Sequence, residues 1–208
     1  MSTNINFDKK LGMTGVTGIS LPSTPSYQNE YSFQFDGVDE YIQTNSTYSQ
    51  ADSQSKITIS AWVKVTTGSD SLSYLCTVGG GSSVSFGIRL QTTTSTTVWC
   101  YVNNAGNNNR AATNIGIIKN DGLWHHLMIC LDLSLPTYSE CAIYLDGSPQ
   151  TMSGYFANAT LPTSTSPLFI GVRYNDLTSI YGGLIDEFAI WSGTDFRNQS
   201  DVDTIYNG

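Results

Sequence analysis

The chain has 208 residues, of which 17 are acidic and 9 are basic, giving a formal net charge of −8 at pH 7. Because nucleic-acid affinity comes mostly from Lys and Arg side chains that neutralise phosphates, this charge argues against nucleic acid and anionic membrane surfaces as partners. The length fits one large all-β domain, and only 12% of the residues are charged, so we expect a surface of mainly neutral hydrogen-bonding groups.

The first 29 residues differ in kind from the rest of the chain. They are rich in Thr, Gly, Ser and Pro and show no apolar alternation before Tyr31. We predict an extended N-terminal arm over residues 1–29, which becomes ordered against a partner, followed by one domain over residues 30–208. The start carries no basic stretch followed by an apolar core, so it does not resemble a secretory signal, and we expect a protein that is made in a cytosol and stays there or leaves by lysis. No apolar run approaches membrane-spanning length, so membrane insertion is not expected.

The remainder alternates between short runs of apolar and polar residues and turn-forming clusters. KITISAWVKV at 56–65 places every second residue, from Ile57 to Val65, on one apolar side, which predicts a half-buried strand. Further strands are predicted at 31–35, 40–44, 73–78, 83–90, 96–102, 123–133, 141–147, 167–172 and 183–191. Only DVDTIYNG at 201–208 is typical of a helix, of one or two turns. Such spacing predicts an all-β fold of two antiparallel sheets packed face to face.

The cysteines do not follow a metal-binding pattern. Cys76, Cys100, Cys130 and Cys141 fall on four separate predicted strands, and no C-x-x-C spacing occurs. We therefore predict buried free thiols rather than disulfides or zinc ligands. A pairing of Cys130 with Cys141 across a hairpin stays open, because the sequence does not set the register of the two strands.

Several segments, taken in order, resemble one family. The segments are FQFDGVDEYIQT at 33–44, ITISAWVKV at 57–65, DGLWHHLMICLD at 121–132, CAIYLDGSP at 141–149 and FIGVRYNDLTSIYGGLIDEFAIWSGTDF at 169–196. They resemble the laminin G-like, concanavalin A-like lectin-glucanase jelly-roll domains, and the resemblance covers residue 31 to about residue 206. It implies a two-sheet antiparallel jelly-roll sandwich, here with a short C-terminal helical turn. Most members bind carbohydrate or protein surfaces, some through calcium, and a minority of relatives hydrolyse glycans.

Two adjacent carboxylates, Asp186 and Glu187, raise the question of a glycosidase. Neighbours on a regular strand point to opposite faces, so we expect Phe188 on the side of Asp186 and Glu187 on the other side. A glycosidase needs two carboxyl groups that face one substrate. The hydrolases that resemble this fold carry an E-x-D-x-x-E strand, and Leu184 stands two residues before Asp186 here. The sequence therefore predicts that the protein is not an enzyme and has no catalytic residues.

Asp186 still needs an explanation, because its predicted face is otherwise apolar and a buried carboxylate requires partners. One interpretation is that it accepts backbone N–H groups from the FDGVDEY turn at 35–41, which pairing of the first and last strands brings near. The other interpretation is a structural calcium ion held by Asp36, Asp39 and Asp186, since calcium prefers carboxylate and carbonyl oxygens. Both interpretations stay open at this stage.

A second candidate site is aromatic. Trp99 and Tyr101 lie on one side of TTVWCYV at 96–102, where they either pack under the neighbouring sheet or form a platform on which sugar rings stack. The polar residues expected to add hydrogen bonds to a ligand are Asn103, Asn104, Tyr174, Asn175 and Asp176. His125 and His126 are adjacent, so their rings should diverge, one into the core and one to the surface.

Together these features predict a non-catalytic, virion-associated module, such as a capsid decoration or a tail or fibre attachment protein of a phage or virus. It would bind a glycan or polysaccharide of the host surface, and its arm would bind neighbouring virion subunits; a homo-oligomer is compatible with this. The alternative is a pure assembly protein that binds only neighbouring subunits. A glycan hydrolase is the third and least favoured interpretation.

Overall fold

The computed structural model describes residues 31–207, except for positions 51, 53, 67–72, 81–82, 92–96, 105–106, 114–117, 119–120, 137–138, 156–160, 162, 164–165, 175–176 and 178. The predicted arm at residues 1–29 lies outside the described residues.

Thirteen strands and one helix make up the described part of the chain. They are, in chain order, β1 (Phe33–Asp36), β2 (Ile42–Gln43), β3 (Lys56–Val65), β4 (Ser73–Gly80), β5 (Ser83–Gln91), β6 (Thr97–Asn104), β7 (Asn107–Thr113), β8 (His125–Asp132), β9 (Cys141–Leu145), β10 (Ser148–Pro149), β11 (Met152–Tyr155), β12 (Leu168–Ile170), β13 (Gly182–Ser192) and α1 (Gln199–Asn207).

The strands form two antiparallel sheets. One has six strands in the order β1-β13-β3-β8-β9-β10, and the other has seven in the order β11-β7-β6-β5-β4-β12-β2. Apolar side chains of both sheets, such as Ile59 and Val63 of β3 and Val98 and Val102 of β6, share one fully buried core. The predicted two-sheet sandwich is confirmed. The first and last strands pair as expected, with Phe33 of β1 opposite Ile185 of β13.

Strand β3 is buried on both faces, whereas its alternation predicted a half-buried strand. The segment that follows β13 covers the outer face: Thr58 Oγ1 donates to the Thr194 carbonyl at 3.1 Å and accepts from the Phe196 N–H at 3.1 Å. Beyond it, α1 packs Val202 into a second cluster with Met128 of β8. The helix is longer than the one or two turns predicted. Among the described residues, no helix combines the length and apolarity needed to cross a bilayer.

One predicted loop is a strand. The Asn-rich stretch at 103–109 lies outside the predicted strands, which left it as a loop, but β7 begins at Asn107 and pairs with β6 on one side and β11 on the other. The prediction was wrong because pairing on both sides outweighs the low strand preference of Asn.

All four cysteines are free and buried, as predicted. On the paired strands β8 and β9, Cys141 lies opposite Leu131, and Cys130 lies opposite Ala142. Cys141 belongs to the main core and Cys130 to the cluster under α1. The two thiols therefore point to opposite faces of the sheet, which excludes the hairpin disulfide.

Candidate functional site

The outer face of the seven-stranded sheet carries the aromatic pair that the sequence indicated. Alternation along β6 turns Val98, Cys100 and Val102 into the core, where each is fully buried, and leaves Trp99 and Tyr101 half-buried on the other side. Their rings are nearly parallel, with centroids 6.1 Å apart and an interplanar angle of 27°. They do not pack between the sheets, which favours the platform over the core interpretation.

An arginine completes this surface. Arg89 of β5 lies opposite Trp99 in the register, so both side chains project from the same face. Its guanidinium carbon lies 5.2 Å from the Trp99 ring centroid and 4.8 Å from that of Tyr101, within the range of cation–π contacts. Tyr74 of β4 lies opposite Arg89 on the other side, with its ring 6.4 Å from Tyr101. We call these four residues the aromatic–arginine patch.

Sequence reasoning missed Arg89, although a signal was present. In SVSFGIRL the apolar residues Phe86, Ile88 and Leu90 alternate with Gly87 and Arg89. The same alternation that placed Trp99 outside the core places Arg89 there too. What it does not give is the register, and only the pairing of β5 with β6 sets the guanidinium against the two rings.

The charge of Arg89 has no counterion within the described structure. No hydrogen bond or ion pair joins its guanidinium to a described residue, and its Nε is buried without an acceptor. An arginine side chain keeps its positive charge at any physiological pH and offers donors in a planar fork. A half-buried cation therefore lies over two aromatic rings, and no described residue accepts a hydrogen bond from it.

The other predicted contact residues fall into three groups. Tyr174 lies on the same outer face, where its N–H donates to Thr77 Oγ1 at 2.9 Å and its ring covers Gly79. The register row that contains Thr77 and Tyr101 separates them by two strand spacings, about 10 Å, so Tyr174 is not part of the patch. Asn103 and Asn104 end β6, paired with β7. Asn175 and Asp176 lie outside the described residues.

The predicted calcium ligands are not brought together. Asp36 lies opposite Gly182, whereas Asp186 lies four residues further along β13, about 13 Å away along the strand. Asp36 Oδ1 accepts from the N–H groups of Val38 at 2.7 Å and Asp39 at 3.4 Å, which closes the turn locally. Within the described residues, no group of three or more His, Cys, Asp and Glu side chains is arranged to hold a metal ion. The three carboxylates do not fit one calcium site.

Asp186 also differs from its predicted hydrogen bonding. Its Oδ1 accepts from the N–H of Glu187 at 2.7 Å rather than from the opening turn, and Oδ2 is buried without a partner among the described residues. The register shifts between Asp186 and Ala189, so two residues of β13 oppose one residue of β3. This bulge, in which Glu187 takes a positive φ of 45°, interrupts the alternation. Phe188 consequently packs against the main core instead of sharing the face of Asp186.

The bulge lies beside a cavity of about 240 Å³ near the β1 edge of the sandwich. Asp186 and Glu187 both line it, so the expectation that they diverge completely was wrong. The rest of its wall is apolar: Phe33, Phe35, Ile42, Ile170, Ile185 and Phe188. A sugar needs hydrogen-bonding partners around its ring, and this wall offers them at one end only. The aromatic–arginine patch is the better candidate for a polar ligand.

The two adjacent histidines diverge as expected. His126 is buried, and its Nε2 lies 2.7 Å from Ser60 Oγ. His125 lies nearer the surface, with Nδ1 2.8 Å from Asp146 Oδ2 and Nε2 3.4 Å from Asp121 Oδ2. His126 is buried under α1, beside Tyr206, rather than in the main core as predicted, and His125 belongs to a surface ion-pair cluster.

The fold and the polar aromatic face define a lectin-like β-sandwich. The chain belongs to the laminin G-type family described as the concanavalin A-like lectin/glucanases superfamily, whose model matches residues 36–202. No curated protein matches the chain at the sequence level. The family assignment therefore rests on the family model and agrees with the observed sandwich.

Solved structures share this fold at low sequence identity. A heptameric SAP-like pentraxin from Limulus polyphemus has a TM-score of 0.61 and 15% identity, covering 88% of this chain and 79% of its own. The CBM40 of the Ruminococcus gnavus IT-sialidase, bound to α2,3 sialyllactose, has a TM-score of 0.59 and 14% identity, covering 84% and 98%. The enzymatically active domain of bacteriophage CBA120 tailspike protein 2 has a TM-score of 0.56 and 13% identity, covering 88% and 31%. At these identities the similarity shows the fold alone.

Proposed function

We propose that this protein is a non-catalytic carbohydrate-binding module whose ligand lies against the aromatic–arginine patch. The observation that carries the proposal is the stacked pair Trp99 and Tyr101 on the outer face of the sheet, beside the donors of Arg89. Aromatic faces stack on the apolar faces of sugar rings, and guanidinium donors bind ring oxygens and hydroxyl groups. The structural likeness to a sialyllactose-bound module supports this function.

The proposed setting is the surface of a virus or phage particle, with the glycan on the host. Two observations support it: the similarity to a bacteriophage tailspike domain and the composition of residues 1–29, which suits an extended segment laid along a neighbouring subunit. The protein would then be made in the host cytoplasm and localise to the virion. Calcium stays a prediction without an assigned ligand set.

The binding proposal is tested with a glycan array followed by calorimetric titration of the glycans that bind. Trp99→Ala and Tyr101→Ala should each weaken binding about tenfold or more, because each removes a stacking surface. Tyr41→Ala is the matched control, since Tyr41 is 39% exposed and lies near β2, away from the patch. Equal affinity in all three variants would contradict the assignment of the site. Titration with and without EDTA checks whether glycan binding depends on calcium.

The absence of catalysis is tested separately. The protein is incubated with β-glucans, galactans and bacterial surface polysaccharides, and new reducing ends are measured. We expect no turnover, because the two adjacent carboxylates line a cavity with an otherwise apolar wall. Turnover that disappears in Glu187→Gln would show a hydrolase instead.

The alternative is an assembly protein, and one observation favours it. Four apolar side chains near the β1 edge are exposed, among them Tyr31 at 81% and Val38 at 70%. Exposed apolar clusters of this kind are typical of contact surfaces. If this edge contacts a subunit, Val38→Lys should abolish assembly and leave glycan binding intact. If Val38→Lys abolishes assembly and neither the wild type nor any variant binds a glycan, the protein is an assembly protein instead.

A further inference from the structure

The aromatic–arginine patch holds an uncompensated positive charge on a strongly acidic protein. The chain has four arginines and a net charge of −8, so carboxylates are abundant. Even so, no described carboxylate pairs with the guanidinium of Arg89, whose recorded partners are the rings of Trp99 and Tyr101. The Nε is buried, and none of the described residues accepts a hydrogen bond from it. The cation–π contacts hold the guanidinium beside the two rings while no described residue accepts a hydrogen bond from it.

The sheet register adds a second arginine position to the same region. Arg110 of β7 lies opposite Tyr101, in the strand next to the aromatic pair. Two of the four arginines of the chain thus occupy positions on β5 and β7 that flank β6. Two of the nine basic residues of the chain therefore lie at register positions beside the aromatic pair.

We propose that the patch selects glycans that carry a carboxylate, such as sialic or uronic acids, and that Arg89 binds the carboxylate. This inference rests on the proposed carbohydrate-binding function and names its ligand class. A carboxylate matches the planar fork of arginine with two parallel hydrogen bonds, whereas a hydroxyl of a neutral sugar leaves the charge uncompensated. The sugar ring that bears the carboxylate, or its neighbour, stacks on Trp99.

The geometry explains why a sugar acid is favoured over a simple anion. Arg89 lies directly across from Trp99 on the neighbouring strand, with its guanidinium carbon 5.2 Å from the ring centroid, so a ligand that reaches the guanidinium also lies beside the indole ring. A small inorganic anion would gain the charge contact without the stacking. A ligand therefore needs both a negative charge for Arg89 and a ring for Trp99. A neutral sugar lacks the charge, and a free anion lacks the ring.

The experiment uses the full chain and pairs of ligands that differ in charge. Oligogalacturonate is compared with its methyl ester, and α2,3 sialyllactose with lactose, by calorimetric titration. We expect the acidic member of at least one pair to bind about tenfold more tightly, and the difference to shrink with added sodium chloride. Arg89→Gln should remove this preference, and Arg89→Lys should restore only part of it, because an ammonium group lacks the bidentate fork.

The matched control is Lys64→Gln, which changes the net charge by the same amount on the six-stranded sheet. It should leave the preference unchanged. Equal binding of the charged and neutral members, or a preference that survives in Arg89→Gln, would overturn the inference while leaving carbohydrate binding intact. Failure of every probe to bind would overturn both. If Arg89→Gln does not fold, Arg89→Lys decides: an undiminished preference for the acidic member contradicts the role of the guanidinium.

Discussion

At the scale of single residues, two neighbouring histidines show how position on a strand determines chemistry. His126 lies between the six-stranded sheet and α1, 5.2 Å from the Trp62 ring and 5.4 Å from the Tyr206 ring, and burial lowers its pKa to about 4. His125 points outward, and its hydrogen bond to Asp146 raises its pKa against the opposing effect of burial. The same residue type therefore responds to acid in opposite directions at adjacent positions.

We predict that His126 makes the fold sensitive to mild acid. Its folded pKa of about 4 lies below the ordinary value of 6.5, so the unfolded chain binds the proton more tightly. The contribution of neutral His126 to the free energy of unfolding should be fully present above about pH 6.5. The free energy of unfolding should then fall by ~3 kcal/mol as the pH decreases to about 4. Urea unfolding across this range measures the loss, and His126→Gln should flatten the curve.

His125 provides the control for this prediction. Because its folded pKa is raised, it stabilises the fold below the unfolded pKa, and that contribution is lost as the pH rises through the folded pKa. His125→Gln should therefore steepen the acid loss rather than flatten it. If His126→Gln leaves the pH dependence of the free energy of unfolding unchanged, other groups cause the loss of stability in acid.

A second residue-scale prediction concerns Asp186. Asp186→Ala removes the acceptor of the Glu187 N–H at the bulge and should lower the free energy of unfolding by about 1–2 kcal/mol. Asp186→Asn keeps an acceptor and removes a buried charge, so we expect a smaller loss. The pKa of Glu187 is raised by burial and by the charge of Asp186, so it should fall in Asp186→Asn.

Urea unfolding and NMR titration of the Glu187 carboxyl measure these two effects. A calcium site at Asp186 would appear differently: EDTA would lower the melting temperature of the wild type and much less that of the variants. Unfolding that is indifferent to both substitutions and to EDTA would remove Asp186 from the functional residues.

At the scale of elements, helix α1 determines what the six-stranded sheet exposes. Asn198 caps its start by accepting the Asp201 N–H at 3.0 Å. Val202 is fully buried against β8 and β9, and Tyr206 stacks on Trp62 at 5.7 Å. The helix thus covers the outer face of this sheet, whereas Trp99 and Tyr101 stay half-buried on the outer face of the other sheet.

We predict that Val202→Ala destabilises the protein by about 2 kcal/mol, because it deletes two buried methyl groups. Thr204→Ala is the matched control in the same helix, since Thr204 is exposed and should change stability by less than about 0.5 kcal/mol. Thermal melting compares the two variants. Burial raises the pKa of Cys130 to about 12, so thiol labelling of Cys130 should accelerate if Val202→Ala loosens the helix. Equal melting of the two variants would contradict the anchoring role of Val202.

At the scale of the whole molecule, the sandwich has an exposed apolar edge where the chain enters it. Strand β1 is the edge of the six-stranded sheet, and Tyr31, Phe33, Val38 and Tyr41 near it are all exposed. The family model begins at residue 36, beyond the first 29 residues. Residues 1–29 therefore lie outside the part of the chain that the family model matches.

We predict that removal of residues 1–29 leaves a soluble domain that melts cooperatively and no longer joins its particle or oligomer. The segment has few apolar residues, so it cannot offset its ordering entropy without a partner. Ile5, Phe7, Leu11, Met13 and Val16 are the expected contact points. Sedimentation and thermal melting of the truncated and full-length chains measure both effects. The predicted role of the arm would be contradicted if the truncated protein is insoluble or assembles as well as the full chain.

The sequence predicted strands best where the alternation of apolar residues is strong. β3 begins and ends where KITISAWVKV does, and TTVWCYV correctly divides β6 into one face with Trp99 and Tyr101 and another with the apolar residues, although it left open which face is inward. The sequence did not predict β7, whose Asn-rich sequence has no apolar period, or β10 and β11, which are short. Weak local signals leave such strands to be determined by the neighbours with which they pair.

The sequence by itself determined the all-β class, the family, the burial of the four thiols and the placement of Trp99 and Tyr101 on one face of their strand, but not which face that is. These properties follow from alternation, which depends only on neighbouring residues. The tertiary structure decided the register that places Arg89 against Trp99, the bulge that redirects Phe188, and the separation of Asp36 from Asp186. These depend on pairing between residues distant in the chain, and a shift of one residue would reverse the faces involved. For the candidate site, the sequence therefore indicated the aromatic residues Trp99 and Tyr101 but not the arginine.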